Sequence, residues 1–251
     1  MRSRRLILTL ACVVNALAAT ALAAVPPTIA PGSKQLKCDI RPYDNAWLWK
    51  VIYPDGKTSV QGIWSDHLER TSGEGRAVLK RVQGMSYVRG KTMQLVTTID
   101  PMTCAPLTTE RHGIDGAVFK RTFAVSSAIT ERTTVLGDAQ ETTVHLDTPT
   151  FAFGDGEDAL LLASLPLRVG YEATITSIDE MTSSDSLKPI AIRVLREERV
   201  HDARGTTAAF VVEADYDDST STLWISRKSP YYLRLQVSFH DGRYRFVFDR
   251  I

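Results

Sequence analysis

Chemically versatile side chains are scarce in this sequence, which has three cysteines and five histidines among 251 residues. His67, His112, His145, His201 and His240 each stand alone, and no two have metal-ligand spacing on one element. No serine lies in a Gly-x-Ser-x-Gly elbow or a Ser-x-x-Lys motif, which excludes the commonest signatures of a serine nucleophile. Basic residues are not in excess, 30 against 29 acidic, and no stripe of them marks a nucleic-acid surface. The acids at Asp215, Asp217 and Asp218 lack the EF-hand pattern and read as turn formers, so no cofactor or metal is expected. Asp147, Asp155, Glu157 and Asp158 read as acids around a helix start. A hydrolase would need distant groups to converge, such as His145, Asp147, His201 and Asp215. It is the weakest of three functional readings.

Residues 1–24 have the three parts of a secretory signal. Arg2, Arg4 and Arg5 precede an uncharged stretch from Leu6 to Leu22, and small residues at Ala21 and Ala23 suit cleavage after Ala23 or Ala24. A retained anchor would need about 20 strongly apolar residues, and this stretch is diluted by Thr9, Asn15 and Thr20. Ser3-Arg4-Arg5-Leu6-Ile7-Leu8 also resembles a twin-arginine signal, a receptor-read address that would imply export after folding. Periplasmic or secreted localisation follows, with no transmembrane span after processing. Losing the three arginines leaves 27 basic against 29 acidic residues.

Residues 25–37 carry Pro26, Pro27, Pro31 and Gly32 and little apolar bulk, which predicts a flexible linker. A single β-rich domain is expected over 38–251, with N-terminal strands in 38–150 and a helix and further strands in 151–251. Period-two alternation dominates it. Leu233, Leu235, Val237 and Phe239 share one strand face, Asp241-Gly242 makes a turn, and Tyr244, Phe246 and Phe248 alternate on the return. Other strands are expected at 46–53, 57–64, 77–82, 91–99, 107–112, 117–123, 142–146, 171–178, 190–200, 207–216 and 221–226.

One segment breaks the alternation. Asp155–Leu165 predicts a short helix, capped by Asp155 and stopped by Pro166, and its core Ala159-Leu160-Leu161-Leu162-Ala163 is apolar all round. Such a helix must be buried, and the concave face of the sheet is the place for it. Cys38 and Cys104 remain after processing. In an oxidising compartment they read as a disulfide, with free thiols or a metal pair as the alternatives.

The second half also has a recognisable shape. Leu165-Pro166-Leu167 with Gly170, Glu198 with Val200, and Leu223-Trp224-Ile225-Ser226 with Ser229-Pro230 resemble a bacterial envelope family of unknown function. At Gly205-Thr206 only these two residues agree with that family's pattern. The resemblance implies a fold similar to the lipoprotein-localisation factors: a mainly β (α+β) protein whose curved antiparallel sheet forms an incompletely closed barrel, with one short helix on its concave face. It implies no activity. Trp47, Trp49, Val51 and Tyr53 fall on one face of a strand, with Trp64 on its partner. Core packing is the plain explanation for them. The functional one is a wall of Trp47, Trp49, Trp64, Leu161 and Trp224 around a lipid or other apolar molecule, in a protein that is more readily a binder than an enzyme. A structural or protein-interaction role in the envelope is the second reading.

Overall fold

The structure, a computed structural model, describes residues 25–73, 75–153, 157–178 and 187–251. The signal expected over 1–24 lies outside the described residues, as does Asp155. Among them, fifteen strands form one continuous sheet: β1 (Thr28–Ile29), β2 (Tyr43–Ile52), β3 (Thr58–Gly73), β4 (Arg76–Tyr87), β5 (Thr92–Ile99), β6 (Pro106–His112), β7 (Val118–Phe123), β8 (Ser127–Thr133), β9 (Ala139–His145), β10 (Glu172–Ile178), β11 (Leu187–Asp202), β12 (Gly205–Asp215), β13 (Ser219–Ile225), β14 (Tyr232–Phe239) and β15 (Arg245–Arg250). A helix, α1 (Asp158–Ser164), lies between β9 and β10 in sequence.

Strands β2–β9 make one antiparallel meander and β10–β15 a second, and β15 pairs with β2 to join them. The sheet curls without closing by hydrogen bonds, so the fold is the expected half-barrel. Its two ends meet through side chains instead, where Ala128, Leu146 and Ile178 form a small buried cluster. Beside them the Phe151 N–H donates to the Thr176 carbonyl at 3.0 Å, so this segment covers part of the β10 edge.

The expected helix forms, shortened to Asp158–Ser164, with Glu157 rather than Asp155 in the residue before it. Ala159, Leu161 and Leu162 pack with Trp47, Ile175, Val212 and Tyr232, while Leu160 enters a second cluster with Tyr43, Leu68, Leu79 and Ile99. A helix apolar on every side thus wedges two clusters together.

The linker reading of 25–37 is corrected. Ile29 is 1% exposed, β1 pairs in parallel with β10, the Gly32 N–H donates to the Thr103 carbonyl at 2.7 Å, and the Lys37 N–H donates to the Ser164 carbonyl at 2.9 Å. The unpaired edge of β10 offers backbone groups that even a proline-rich segment can satisfy. Cys38 and Cys104 form the expected disulfide, which ties this strap to the β5–β6 turn. Such a crosslink persists in an oxidising compartment. No helix among the described residues is long and apolar enough to cross a membrane.

Strand β3 continues nine residues past Trp64, the end expected for it. Its inward positions there are Asp66, 1% exposed, and Leu68, fully buried. Strand β8 was not expected at all. Its run Ser-Ala-Ile-Thr-Glu-Arg-Thr carries little apolar signal.

Candidate functional site

Three of the five residues expected to line an apolar wall are brought together in the core. Trp47 and Trp64 lie opposite each other on β2 and β3 with ring centres 5.0 Å apart, and Leu161 belongs to the same cluster. Trp49 is the fourth, partly buried against this cluster and stacked on Phe248 at 5.8 Å. Alternation along β2 turns both tryptophans inward, Gly62 stands across from Trp49, and the register shifts only beyond it, where β3 carries one extra residue. A Cβ on Gly62 would meet the Ser86 carbonyl oxygen at 2.1 Å, so only glycine lets the β4 backbone come this close. Tyr53, expected on the same face, is exposed past the strand end.

Trp224 is corrected. It packs with Val200, Ala209, Val211 and Leu233, whereas its neighbours Leu223 and Ile225 face the helix cluster. Trp224 therefore lies on the opposite face of the sheet, where its indole donates to Glu198. A register shift in β11 between Val194 and Arg196 turns Glu198 and Val200 to this side.

The wall has a gradient of burial along its strands. Around α1, Trp47, Ile192, Val212 and Tyr232 are fully buried. Farther along, the inward positions Val237, Phe246, Trp49, Met85, Met93 and Leu95 are half-buried. Beside them a groove of about 370 Å³ runs between the β2–β3 and β4–β5 hairpins, lined by Tyr53, Gln61, Tyr87 and Arg89 among others. Tyr87 links groove to wall, its ring 5.1 Å from that of Trp49.

Four polar groups in this wall are buried without a hydrogen-bond partner: the indole N–H groups of Trp47, Trp49 and Trp64 and the hydroxyl of Tyr232. Each costs about 1–3 kcal/mol of lost hydration. Burial holds the Tyr232 hydroxyl well above the usual tyrosine range.

On the adjoining strands the inner face becomes polar. Arg81, fully buried, donates from Nε to Asp66 Oδ1 at 2.8 Å and from Nη2 to Asp66 Oδ2 at 2.6 Å, and its Nη1 reaches Asp158 of the helix at 3.0 Å. The Tyr43 hydroxyl donates to Asp66 at 3.0 Å. Burial opposes the Arg81 charge, but Asp66, Tyr43 and Asp158 more than compensate and hold it firmly protonated. Glu157 is buried too, one oxygen accepting the Ala152 N–H at 2.6 Å and the other without a partner. Burial pushes its carboxyl up to about 8. These groups were invisible in the sequence, where Asp66 sits in a polar run and Glu157 reads as a helix-start acid.

The hydrolase grouping is not assembled. His201 bonds to Thr206, Asp215 lies near His240 and Thr220, and His145 is an exposed residue of β9. Among the described residues no group of three or more His, Cys, Asp or Glu side chains could hold a metal ion.

A curled half-barrel with a buried helix and an aromatic wall defines a mainly β, barrel-like protein. The chain belongs to the family described as "Protein of unknown function (DUF3108)", which matches residues 56–249. Among solved structures it is similar to a β-barrel-like protein of domain of unknown function DUF1849 from Brucella abortus, with 10% identity, a TM-score of 0.44, and coverage of 84% of this chain and 95% of that one. No curated protein matches.

Proposed function

We propose that this is a non-enzymatic protein of the periplasm or of secretion that takes up an apolar chain against the half-buried part of its inner wall. The observation that carries the reading is the burial gradient: α1 fills the half-barrel at one end, whereas Val237, Phe246, Trp49, Met85, Met93 and Leu95 stay half-covered farther along. A contiguous, partly exposed apolar surface rimmed by polar groups is what ligand grooves present. The disulfide and the N-terminal signal pattern support the compartment.

Native mass spectrometry of the protein recovered from an oxidising compartment, with lipid extraction, is the test. Acyl-chain adducts and saturable uptake of a fluorescent fatty acid are expected. Absence of both overturns the reading.

A second reading, docking on another envelope component, is favoured by one feature. Val88, Ile114, Val135 and Leu136 are exposed aliphatics on three alternate hairpin turns, β4–β5, β6–β7 and β8–β9. Surface crosslinking that captures a partner only when these turns are intact would support it.

A further inference from the structure

The groove at the open end of the wall has a chemical character of its own. Gly62 of β3 stands opposite Tyr87 of β4, and just beyond them the Val88 N–H donates to the Gln61 carbonyl at 2.9 Å. This bond holds the β4–β5 turn against the β2–β3 hairpin. The turn is closed by the Tyr87 N–H on the Lys91 carbonyl and the Gly90 N–H on the Tyr87 carbonyl, both at 2.9 Å. Arg89 and Lys91 are therefore carried on a braced loop, and both line the groove with Tyr53, Ser59, Gln61 and Tyr87.

Neighbouring turns at this end of the sheet neutralise their own cations. Lys57 pairs with Asp55 at 2.8 Å and Arg243 with Asp241 at 3.5 Å. Among the described residues neither Arg89 nor Lys91 has a carboxylate partner, and no residue lining the groove carries a carboxylate. Two cations on one tight turn repel each other unless an anion lies between them. Guanidinium and ammonium donors hold carboxylate and phosphate oxygens by charge-assisted hydrogen bonds.

The groove also leads inward. Tyr87 touches Trp49, the Trp49 ring lies 5.6 Å from that of Phe246, and Val237 stands opposite Phe246 on the next strand. A half-buried apolar path thus starts at the two cations. The groove's volume of about 370 Å³ falls at the small end of ligand pockets, which suits a head group and the first carbons of a chain.

We propose that this groove is the head-group site of an anionic amphiphile, whose oxyanion lies on Arg89 and Lys91 and whose chain passes Tyr87 and Trp49 toward Phe246. The proposal rests on the apolar-chain reading above and adds to it the point of entry and the charge of the head group. The head group is a carboxylate or a phosphate monoester.

The test titrates dodecanoate, dodecyl phosphate, dodecanol and inorganic phosphate into the intact protein, followed by tryptophan fluorescence and native mass spectrometry. Either anionic amphiphile is expected to bind roughly tenfold tighter than dodecanol, and the tighter of the two assigns the head group. The variant Arg89→Gln with Lys91→Gln is expected to lose that advantage while keeping its dodecanol affinity. The control Lys34→Gln with Arg76→Gln removes the same charge from exposed positions away from the groove and is expected to bind like wild type. Inorganic phosphate that binds as tightly as dodecyl phosphate overturns the assignment to an amphiphile. Equal binding of the three chain compounds, or equal weakening by the control, overturns the head-group site but leaves uptake of an apolar chain standing. Failure of all three to bind overturns both. Circular dichroism of each variant checks that the sheet is intact.

Discussion

The two stretches of inner wall are built on opposite principles. From β10 to β15 and on to β2, inward positions are Ile175, Ile192, Val212, Leu223, Tyr232 and Trp47, and the helix packs on them with hydrocarbon and rings. Across β4–β8 a row of opposed residues runs Arg81, Thr97, Thr109, Arg121 and Thr130. The first stretch is held by area removed from water, the second by hydrogen bonds and one buried ion cluster. Apolar packing is indifferent to direction, whereas a guanidinium held by two carboxylates specifies one arrangement and tolerates no missing partner. The helix bridges the two, with Leu161 and Leu162 on one side and Asp158 on the other.

The largest test of this contrast removes one anchor from each stretch. Arg81→Met leaves Asp66 buried without its cation and is expected to cost about 3–5 kcal/mol in urea unfolding. Trp47→Ala opens a cavity in the apolar stretch and is expected to cost a similar amount, about 3–5 kcal/mol. Adding Asp66→Asn to Arg81→Met removes the uncompensated carboxylate and should recover part of the deficit, whereas Trp47→Ala leaves no charge behind to remove. An Arg81→Met deficit that Asp66→Asn does not reduce would break the distinction.

Next in size is the crosslink. Replacing both Cys38 and Cys104 by serine is expected to cost about 2–4 kcal/mol and to loosen the strap at β1, seen as faster amide exchange at Ile29 and Thr174. Exchange that changes only around the β5–β6 turn would separate strap from disulfide.

Glu157 gives a smaller, pH-dependent effect. Its carboxyl is raised from 4.5 in an unfolded chain to about 8 by burial, so the folded state binds the extra proton. The stability it contributes is fully present below about pH 4.5 and is lost as pH rises through about 8. Glu157→Gln is expected to gain on the wild type across that window, by an amount on the order of a few kcal/mol at its upper end. Unfolding midpoints of the two proteins that run parallel from pH 5 to 9 would refute it.

The smallest effect is on the surface. His67 is raised chiefly by its hydrogen bond to Asp44, at 2.6 Å on exposed strand positions. His67→Gln should change stability by less than about 1 kcal/mol.

Much of the fold was legible because a half-buried strand writes its period into the sequence. The hairpin of Tyr232–Phe239 with Arg245–Arg250 and the all-apolar helix are the clearest cases. What escaped notice was whatever broke parity or put polar groups inside. Trp224 simply alternates with Leu223 and Ile225. The extra residue in β14 opposite them turns Leu233 to the outer face and leaves Leu235 inward, against the expectation that the two share a face, because alternation cannot count through a bulge. Asp66 and Arg81 looked like surface charge, since no local pattern reveals that they satisfy each other across two strands. Strand β1 is two residues long and owes its existence to the edge of β10, a partner 146 positions away. Trp47, Trp49 and Trp64 were legible as a group. Gln61, Arg89 and Lys91 were not, because only the pairing of β3 with β4 brings them together.

The seam between β15 and β2 has a consequence for how such a chain comes to be folded. β15 is the last of the fifteen strands to be synthesised, yet it occupies the interior of the sheet, with β14 on one side and β2 on the other. Until it arrives, the two meanders are separate sheets, each with a raw edge of the kind that recruits strands from other molecules. Contacts this distant in sequence make assembly slow. Losing a few residues at Arg245–Arg250 would therefore do more than fray an end. It would leave two sticky halves where the finished molecule has one continuous surface.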